Sequence, residues 1–69
     1  MFAFRRFILR RRVVVNLDDG TAIEGVLFRK AGPLLLLKNA SHLEEGAQPL
    51  LLDGDTIIER SRVLFIQAL

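Results

Sequence analysis

The chain has no cysteine and only one histidine, which narrows the ways in which so small a protein can be stabilised. A chain of 69 residues buries only about 60% of the surface that its unfolded form exposes, so it usually needs an additional staple. Without cysteine there is neither a disulfide nor a thiolate metal site, and His42 alone cannot build a zinc site. Yet 51% of the residues are hydrophobic. This surplus of apolar surface predicts that the chain associates with copies of itself.

Long hydrophobic runs are also missing. A membrane-spanning helix requires about 20 apolar residues, whereas the longest runs, Leu34–Leu37 and Val63–Ile66, are strand-sized. The segment Phe2–Leu9 is interrupted by Arg5 and Arg6, and no small-residue cleavage site of a secretory signal follows it. We therefore expect, as the default, a soluble intracellular protein without a membrane partner.

Charge is divided unevenly along the chain. Residues 1–12 hold five arginines and no acid, which gives +5, whereas five basic and eight acidic side chains in the remainder give −3. A basic arm on a mildly acidic body predicts a partner for the arm. The arginines of the arm contact phosphates or an acidic protein in one interpretation, which includes a membrane surface as a lesser option. In the other interpretation they only keep one face of a helix in solvent while its apolar face packs on the body. These arginines are Arg5, Arg6, Arg10, Arg11 and Arg12.

The hydrophobic pattern predicts one short helix followed by about five short strands. Apolar side chains recur at helical spacing within Phe2–Leu9, and from Val13 the pattern becomes strand-like with turn signals between strands. Gly25 lies inside the second strand and predicts a sharp bend or a close approach of another backbone there. The run Leu34–Leu37 suits a strand buried on both faces. The predicted strands are Val13–Leu17, Thr21–Phe28, Leu34–Leu37, Thr56–Glu59 and Val63–Gln67, and Ser41–Pro49 is predicted as a loop. Such a chain is mainly β, a small barrel or sandwich.

Two motifs cover most of the chain. The first is Val13-x-Val15-x-Leu17-x-x-Gly20, then Gly25 and Leu35-Leu36-Leu37-x-Asn39-Ala40. The second is Gly54-Asp55-x-Ile57-Ile58-x-x-x-x-Val63-x-x-Ile66. These motifs and the order of the elements resemble the Sm-like fold, a short helix followed by a five-stranded, strongly bent, SH3-like small barrel. The resemblance implies a single domain over residues 1–69, with an arm at 1–12 and a barrel at 13–69, which forms a homo-oligomeric ring.

The residues that read RNA in Sm-like proteins are replaced in this chain. The family holds a base with an Asp-x-x-x-Asn stretch and an Arg-Gly pair, and here these positions read Ala31-Gly32-Pro33-Leu34-Leu35 and Glu59-Arg60. Leucine offers no hydrogen bond to a base edge, and Glu59 repels phosphate. We therefore carry over the fold and the ring, but not the RNA pocket.

A closer resemblance is to the short Sm-like proteins encoded among the structural genes of actinobacterial tailed phages. They share the arginine-rich start, a Gly-Pro before the leucine run, a Glu-x-Gly loop and a similar ending. Here the ending is Asp53-Gly54-x-x-x-Ile58-Glu59-Arg60-x-x-Val63-x-Phe65-Ile66-Gln67. This resemblance implies docking on a phage structural protein, and a location in the virion or in the host cytoplasm.

The run Val63–Ile66 carries neither the charge nor the proline that normally protects a sheet edge. It lies either inside the barrel or at an edge that pairs with the next subunit. Head-to-tail pairing of this kind closes into a ring when its rotation allows. The predicted subunit interface consists of Ile57, Val63, Leu64, Phe65 and Ile66.

The remaining polar residues do not form a recognisable catalytic or metal-binding pattern. His42 with Glu44 and Glu45 is typical of a polar loop, and Asp53-Gly54-Asp55 lacks the rest of a calcium loop. The serines have no positioned base. We therefore expect no enzyme activity, cofactor or metal. The predicted function is a structural or assembly module that docks on a larger complex, and the alternative is a ring that binds nucleic acid nonspecifically through its arm.

Overall fold

The fold consists of six antiparallel strands that form one bent sheet. The computed structural model describes residues 10–69. The strands are β1 (Arg12–Leu17), β2 (Ala22–Ala31), β3 (Leu34–Leu43), β4 (Leu50–Leu51), β5 (Thr56–Glu59) and β6 (Val63–Ala68), and a 3₁₀ turn (Arg60–Arg62) joins the last two. They follow the order β4-β3-β2-β1-β6, with β5 paired to another stretch of β3. Within residues 10–69 no helix is long and apolar enough to span a membrane.

The turn between β1 and β2 is closed by the Asp-Gly signal that the sequence contains. Gly20 adopts a positive φ of 89°, a backbone conformation that is strained for any residue with a side chain. Leu17 N–H donates to the Thr21 carbonyl at 2.8 Å, and Thr21 N–H donates to an Asp19 carboxylate oxygen at 2.9 Å. These bonds set the register in which Asn16 lies opposite Ala22. The turn predicted between the first two strands is confirmed.

The long strands β2 and β3 bend sharply, and Gly25 lies at one of the bends. Their register shifts between Glu24 and Val26 and again between Leu27 and Arg29. A Cβ added at Gly25 would lie 3.1 Å from the backbone of Ala40, so only glycine allows the two strands to approach this closely. The bend predicted at Gly25 is present.

The core lies on the concave face of the sheet. Its buried residues come from β1, β2, β3 and β5, at alternating positions as the two-residue period of a strand requires. They are Val13, Val15, Ile23, Leu27, Leu35, Leu37, Ala40 and Ile58, and Leu17, Leu52, Val63 and Ile66 pack against them half-buried. Because β6 contributes only half-buried side chains, the core is thinnest on that side of the sheet.

Three details of the predicted fold need correction, although the mainly β class is confirmed. Residues 10–69 contain six strands and not five, because Leu50–Leu51 pairs with Ser41 and His42 as an additional short strand. The stretch Ser41–Leu43, predicted as loop, continues β3. Leu34–Leu37 is not buried on both faces, since Leu35 and Leu37 are buried while Leu34 is exposed. The helix predicted over Phe2–Leu9 lies outside the described residues.

Candidate subunit interface and basic arm

Two sheet edges meet at the 3₁₀ turn. Strand β5 pairs with β3 along one side, and β6 pairs with β1 along one side. On their other sides neither strand pairs with any strand in residues 10–69. Unpaired N–H and C=O groups of this kind are a template for another strand. The chain therefore presents two edges that a second chain could extend.

Apolar side chains project into solvent from both edges. Ile57 on β5 is 63% exposed, and Leu64 and Phe65 on β6 are 66% and 54% exposed. The other two predicted interface residues, Val63 and Ile66, are half-buried and pack against the core. Exposed large apolar groups clustered on open edges are typical of interaction sites. Three of the five predicted residues thus face solvent, and two connect that surface to the core.

An open cavity of about 320 Å³ separates β5 from the β1–β2 turn. Its floor is formed by core-facing side chains, and its rim is polar. The floor contains Leu17, Ile23 and Ile58, and the rim includes Asp19, Glu59 and Arg62. The concave face of the sheet is therefore not fully covered next to the β5 edge.

Arg62 fixes the 3₁₀ turn against the β1–β2 turn. Its Nε donates to an Asp18 carboxylate oxygen at 2.8 Å, and its Nη2 lies 3.7 Å from Asp19. The hydrogen bond to Asp18 raises the pKa of Arg62. Hydrogen bonds from Thr21 lower the pKa of Asp19, and the charge of Arg62 lowers it further. The position of the turn that joins β5 to β6 is thus set by charged groups in the β1–β2 turn.

The described part of the basic arm lies along the sheet. Arg12 Nε is 3.3 Å from Glu24 Oε2, and Arg11 Nη2 donates to the Leu69 carbonyl at 3.2 Å. The Arg10 guanidinium carbon lies 4.9 Å from the ring centroid of Phe28. Each of the three is exposed but has a partner within the chain. The other two predicted contact residues, Arg5 and Arg6, lie outside the described residues.

Phe28 is the aromatic anchor of this region, and sequence reasoning did not single it out. Lys38 Nζ lies 4.7 Å from its ring centroid, so the ring contacts two cations. Lys38 is also 3.8 Å from Asp55. Cations bind the negative face of an aromatic ring. The available signal was the position of Phe28 directly after Leu27 in the predicted strand, since neighbouring residues of a strand point to opposite faces.

The two segments that replace the family's RNA-reading motifs are adjacent. Arg60 N–H donates to the Pro33 carbonyl at 2.7 Å. At this junction Leu35 is fully buried in the core, and Glu59 is exposed. The region therefore brings together a leucine-rich turn and an acidic side chain.

Two solved structures resemble this chain over almost its whole length. No family model matches the chain, and no curated protein matches it. A heptameric archaeal Sm protein is 26% identical, with 97% of both chains covered and a TM-score of 0.84. The P. aerophilum SmAP1 heptamer is also 26% identical, with 100% of this chain and 92% of that chain covered and a TM-score of 0.85.

These likenesses agree with the arrangement of strands and turns described above. The bent β2–β3 pair, the short β5 and the closing β6 account for the order of motifs along the chain. Both of those proteins are heptamers. The strand arrangement and the two neighbours together support an Sm-like fold for this chain.

Proposed function

We propose that this protein is a non-enzymatic module that assembles into a homo-oligomeric ring. The observation that carries the proposal is the pair of open edges, β5 and β6, each with exposed apolar side chains. The heptameric state of both similar archaeal proteins supports it. In the ring, the β5 edge of one subunit pairs with the β6 edge of the next. This contact is heterologous. It closes into a ring when a whole number of the rotations that relate neighbouring subunits completes a full turn.

Ring formation also answers the stability problem of so short a chain. A core of this size supplies roughly 3–5 kcal/mol. Burying one large apolar side chain contributes about 1.5–3 kcal/mol relative to leaving it exposed. The three exposed residues Ile57, Leu64 and Phe65 would be removed from water at each contact. The half-buried Val63 and Ile66 would then lie between two cores.

Sedimentation velocity tests the ring directly. We expect a species whose mass is a fixed multiple of 7.8 kDa, and we expect it to persist at high salt because the contact is apolar. Leu64→Lys and Phe65→Arg should dissociate it, since each places a charge in the buried contact. Leu69→Lys is the matched control, because Leu69 is similarly exposed but lies beyond the end of β6. A 7.8 kDa monomer at every concentration contradicts the proposal.

We further propose that the ring is a structural or assembly module of a phage and docks on a larger protein complex. The resemblance to phage-encoded proteins and the apolar surface support this role. Cross-linking of the tagged ring in infected cells, followed by identification of the linked peptides, tests it. Links to a virion structural protein that disappear when the ring contact is broken are expected. Links only between copies of this chain contradict the role.

A second candidate function is nonspecific binding of nucleic acid. The observation in its favour is the +5 arm together with the exposure of Arg10, Arg11 and Arg12. Such binding weakens steeply with salt and ignores sequence. Fluorescence anisotropy with single-stranded oligonucleotides tests it, and Arg5→Gln with Arg6→Gln should weaken binding more than the control Lys30→Gln. Absence of binding at low salt rules it out.

A further inference from the structure

The hairpin between β3 and β4 exposes an apolar pair that the ring contact does not use. Leu50 and Leu51 are 63% and 66% exposed and form the whole of β4. They lie opposite His42 and Ser41, at the outer end of the sheet order. The outer side of β4 pairs with no strand in residues 10–69. Adjacent leucines on a strand point to opposite faces, so both faces of the hairpin are apolar.

Carboxylates surround these leucines. Glu44 and Glu45 lie in the loop that precedes β4, and Asp53 follows it by two residues. All three are exposed, and none forms an ion pair with another residue in the 10–69 range. The other charged groups of the sheet are largely matched, as in the pairs of Arg12 with Glu24 and Lys38 with Asp55. The hairpin thus combines exposed leucines with uncompensated negative charge.

A segment of the opposite character exists in the same chain. Residues 1–9 carry Arg5 and Arg6, which give a charge of +2, and six large apolar side chains. They join the sheet at Arg10, whose N–H donates to the Leu27 carbonyl. The strand β1 runs antiparallel to β2, with Arg12 opposite Val26 and Asn16 opposite Ala22. The arm is therefore attached towards the β2–β3 turn.

The hairpin lies in the other direction along the same strands. The end of β3 pairs with the start of β2, where Ala22 lies opposite Leu43. From Leu27 back to Ala22 is five residues, a distance of about 16 Å along a strand. The basic apolar arm and the acidic apolar hairpin are thus carried in opposite directions from the middle of the sheet. Complementary features placed in this way join one molecule to the next in a head-to-tail direction.

We infer that the β3–β4 hairpin is a docking site for residues 1–9, the part of the basic arm that precedes the sheet, of a second copy of this chain. The leucines of the hairpin contact the apolar side chains of the arm, and the glutamates pair with Arg5 and Arg6. In a ring, every subunit repeats this contact, so one ring stacks on another. This inference rests on the proposed ring for its final architecture. Because the contact is heterologous and does not close on itself, the stack is open-ended.

Sedimentation velocity of the full chain over a range of concentrations, at low and high salt, tests the inference. At low salt we expect a concentration-dependent rise of the weight-average mass to at least twice that of the single ring. At high salt we expect the single ring alone, since screening weakens the ion pairs. Leu50→Ser with Leu51→Ser should leave the single ring intact and abolish the rise. The control Leu69→Ser should stack as the original chain does.

Exchange of the charges between hairpin and arm tests whether the arm occupies the hairpin site. Glu44→Lys with Glu45→Lys should abolish stacking, and addition of Arg5→Glu and Arg6→Glu to that variant should restore it. The two double variants are then mixed, one with reversed charge in the hairpin and the other with reversed charge in the arm. Stacking that is restored in this mixture shows that the contact joins different copies. Stacking that survives the hairpin substitutions, or a single ring at every concentration, overturns the inference. A salt-sensitive contact inside one copy, with no rise in mass, overturns it as well.

The same experiment separates this inference from the ring itself. The substitutions Leu64→Lys and Phe65→Arg remove the ring but do not alter the hairpin. If the original chain forms no ring, the proposed function fails. The hairpin contact is then tested on single protomers. Their weight-average mass should rise with concentration as they join head to tail, and the hairpin substitutions should abolish this rise.

Discussion

Gly25 and Ala40 are in contact across the bend of β2 and β3, with the space for a Cβ at residue 25 only 3.1 Å from both the Cα and the Cβ of Ala40. Both residues are buried, and the Lys38 carbonyl oxygen lies 3.2 Å from the same point. The contact determines how tightly the two longest strands curve around the core.

Gly25→Val should therefore destabilise the protein. Overpacking of a buried site typically costs about 1–3 kcal/mol, a large part of the stability of so short a chain. Urea denaturation at fixed protein concentration measures the loss, since assembly makes stability depend on concentration. Adding Ala40→Gly should recover part of it, because one of the close atoms is removed. Equal stability of Gly25→Val and the original chain would show that the strands can separate freely.

Leu37→Ala should leave the chain mostly unfolded when it is not assembled. Leu37 is fully buried, and truncation of such a leucine costs about 2–5 kcal/mol. That range is comparable to the roughly 3–5 kcal/mol that a small core supplies. Circular dichroism at low protein concentration measures the folded fraction. The control Leu69→Ala removes an exposed leucine and should change stability by less than about 0.5 kcal/mol.

Phe28→Leu should weaken the attachment of the arm. The ring contacts Arg10 and Lys38 at 4.9 and 4.7 Å, and each such contact at an exposed site is worth about 0.5–1 kcal/mol. Leucine retains apolar bulk but lacks the charged ring face. A double-mutant cycle with Arg10→Met, measured as the free energy of unfolding in urea, isolates the contact of the ring with the arm. Lys38→Met is the control, because Lys38 contacts the same ring from β3. Additive effects of Phe28→Leu and Arg10→Met would contradict the expected coupling.

Asp19 should make the protein sensitive to acid. Its pKa in the folded chain lies below the ordinary value of 3.8, first because of hydrogen bonding to Thr21. The folded state therefore gains stability above that ordinary value, and this gain is lost as the pH falls through the lowered folded pKa. Asp19→Asn should show a shallower loss of melting temperature below pH 4 than the original chain. Parallel melting curves for the two proteins over this range would contradict the assignment.

The sequence was most informative where local chemistry decides the structure. The turns between strands and the bend at Gly25 were predicted from glycine, turn residues and apolar runs. The strand predicted over Val63–Gln67 corresponds to β6 at Val63–Ala68. These features depend on neighbours in sequence, which a pattern of residues records directly.

The sequence was least informative where pairing between distant strands decides the structure. Ser41 and His42 are polar and were predicted as loop, yet they continue β3 because Glu24, Ile23 and Leu50 lie opposite them. The leucine run looked buried on both faces, but only alternate positions face the core. Which of the apolar residues on β5 and β6 remain exposed also depends on the register of β1 with β6.

The pairing of β1 with β6 has a consequence for how the chain folds. Val13 lies opposite Ala68, so the central strand acquires its second partner only when the far end of the chain arrives. Contacts between positions so far apart in sequence slow folding, because a long loop must close before they form. A chain emerging from the ribosome cannot complete this sheet until β6 is free. Strands β5 and β6 come after β1, β2 and β3 along the chain, so the edges available for assembly form only when the core is complete.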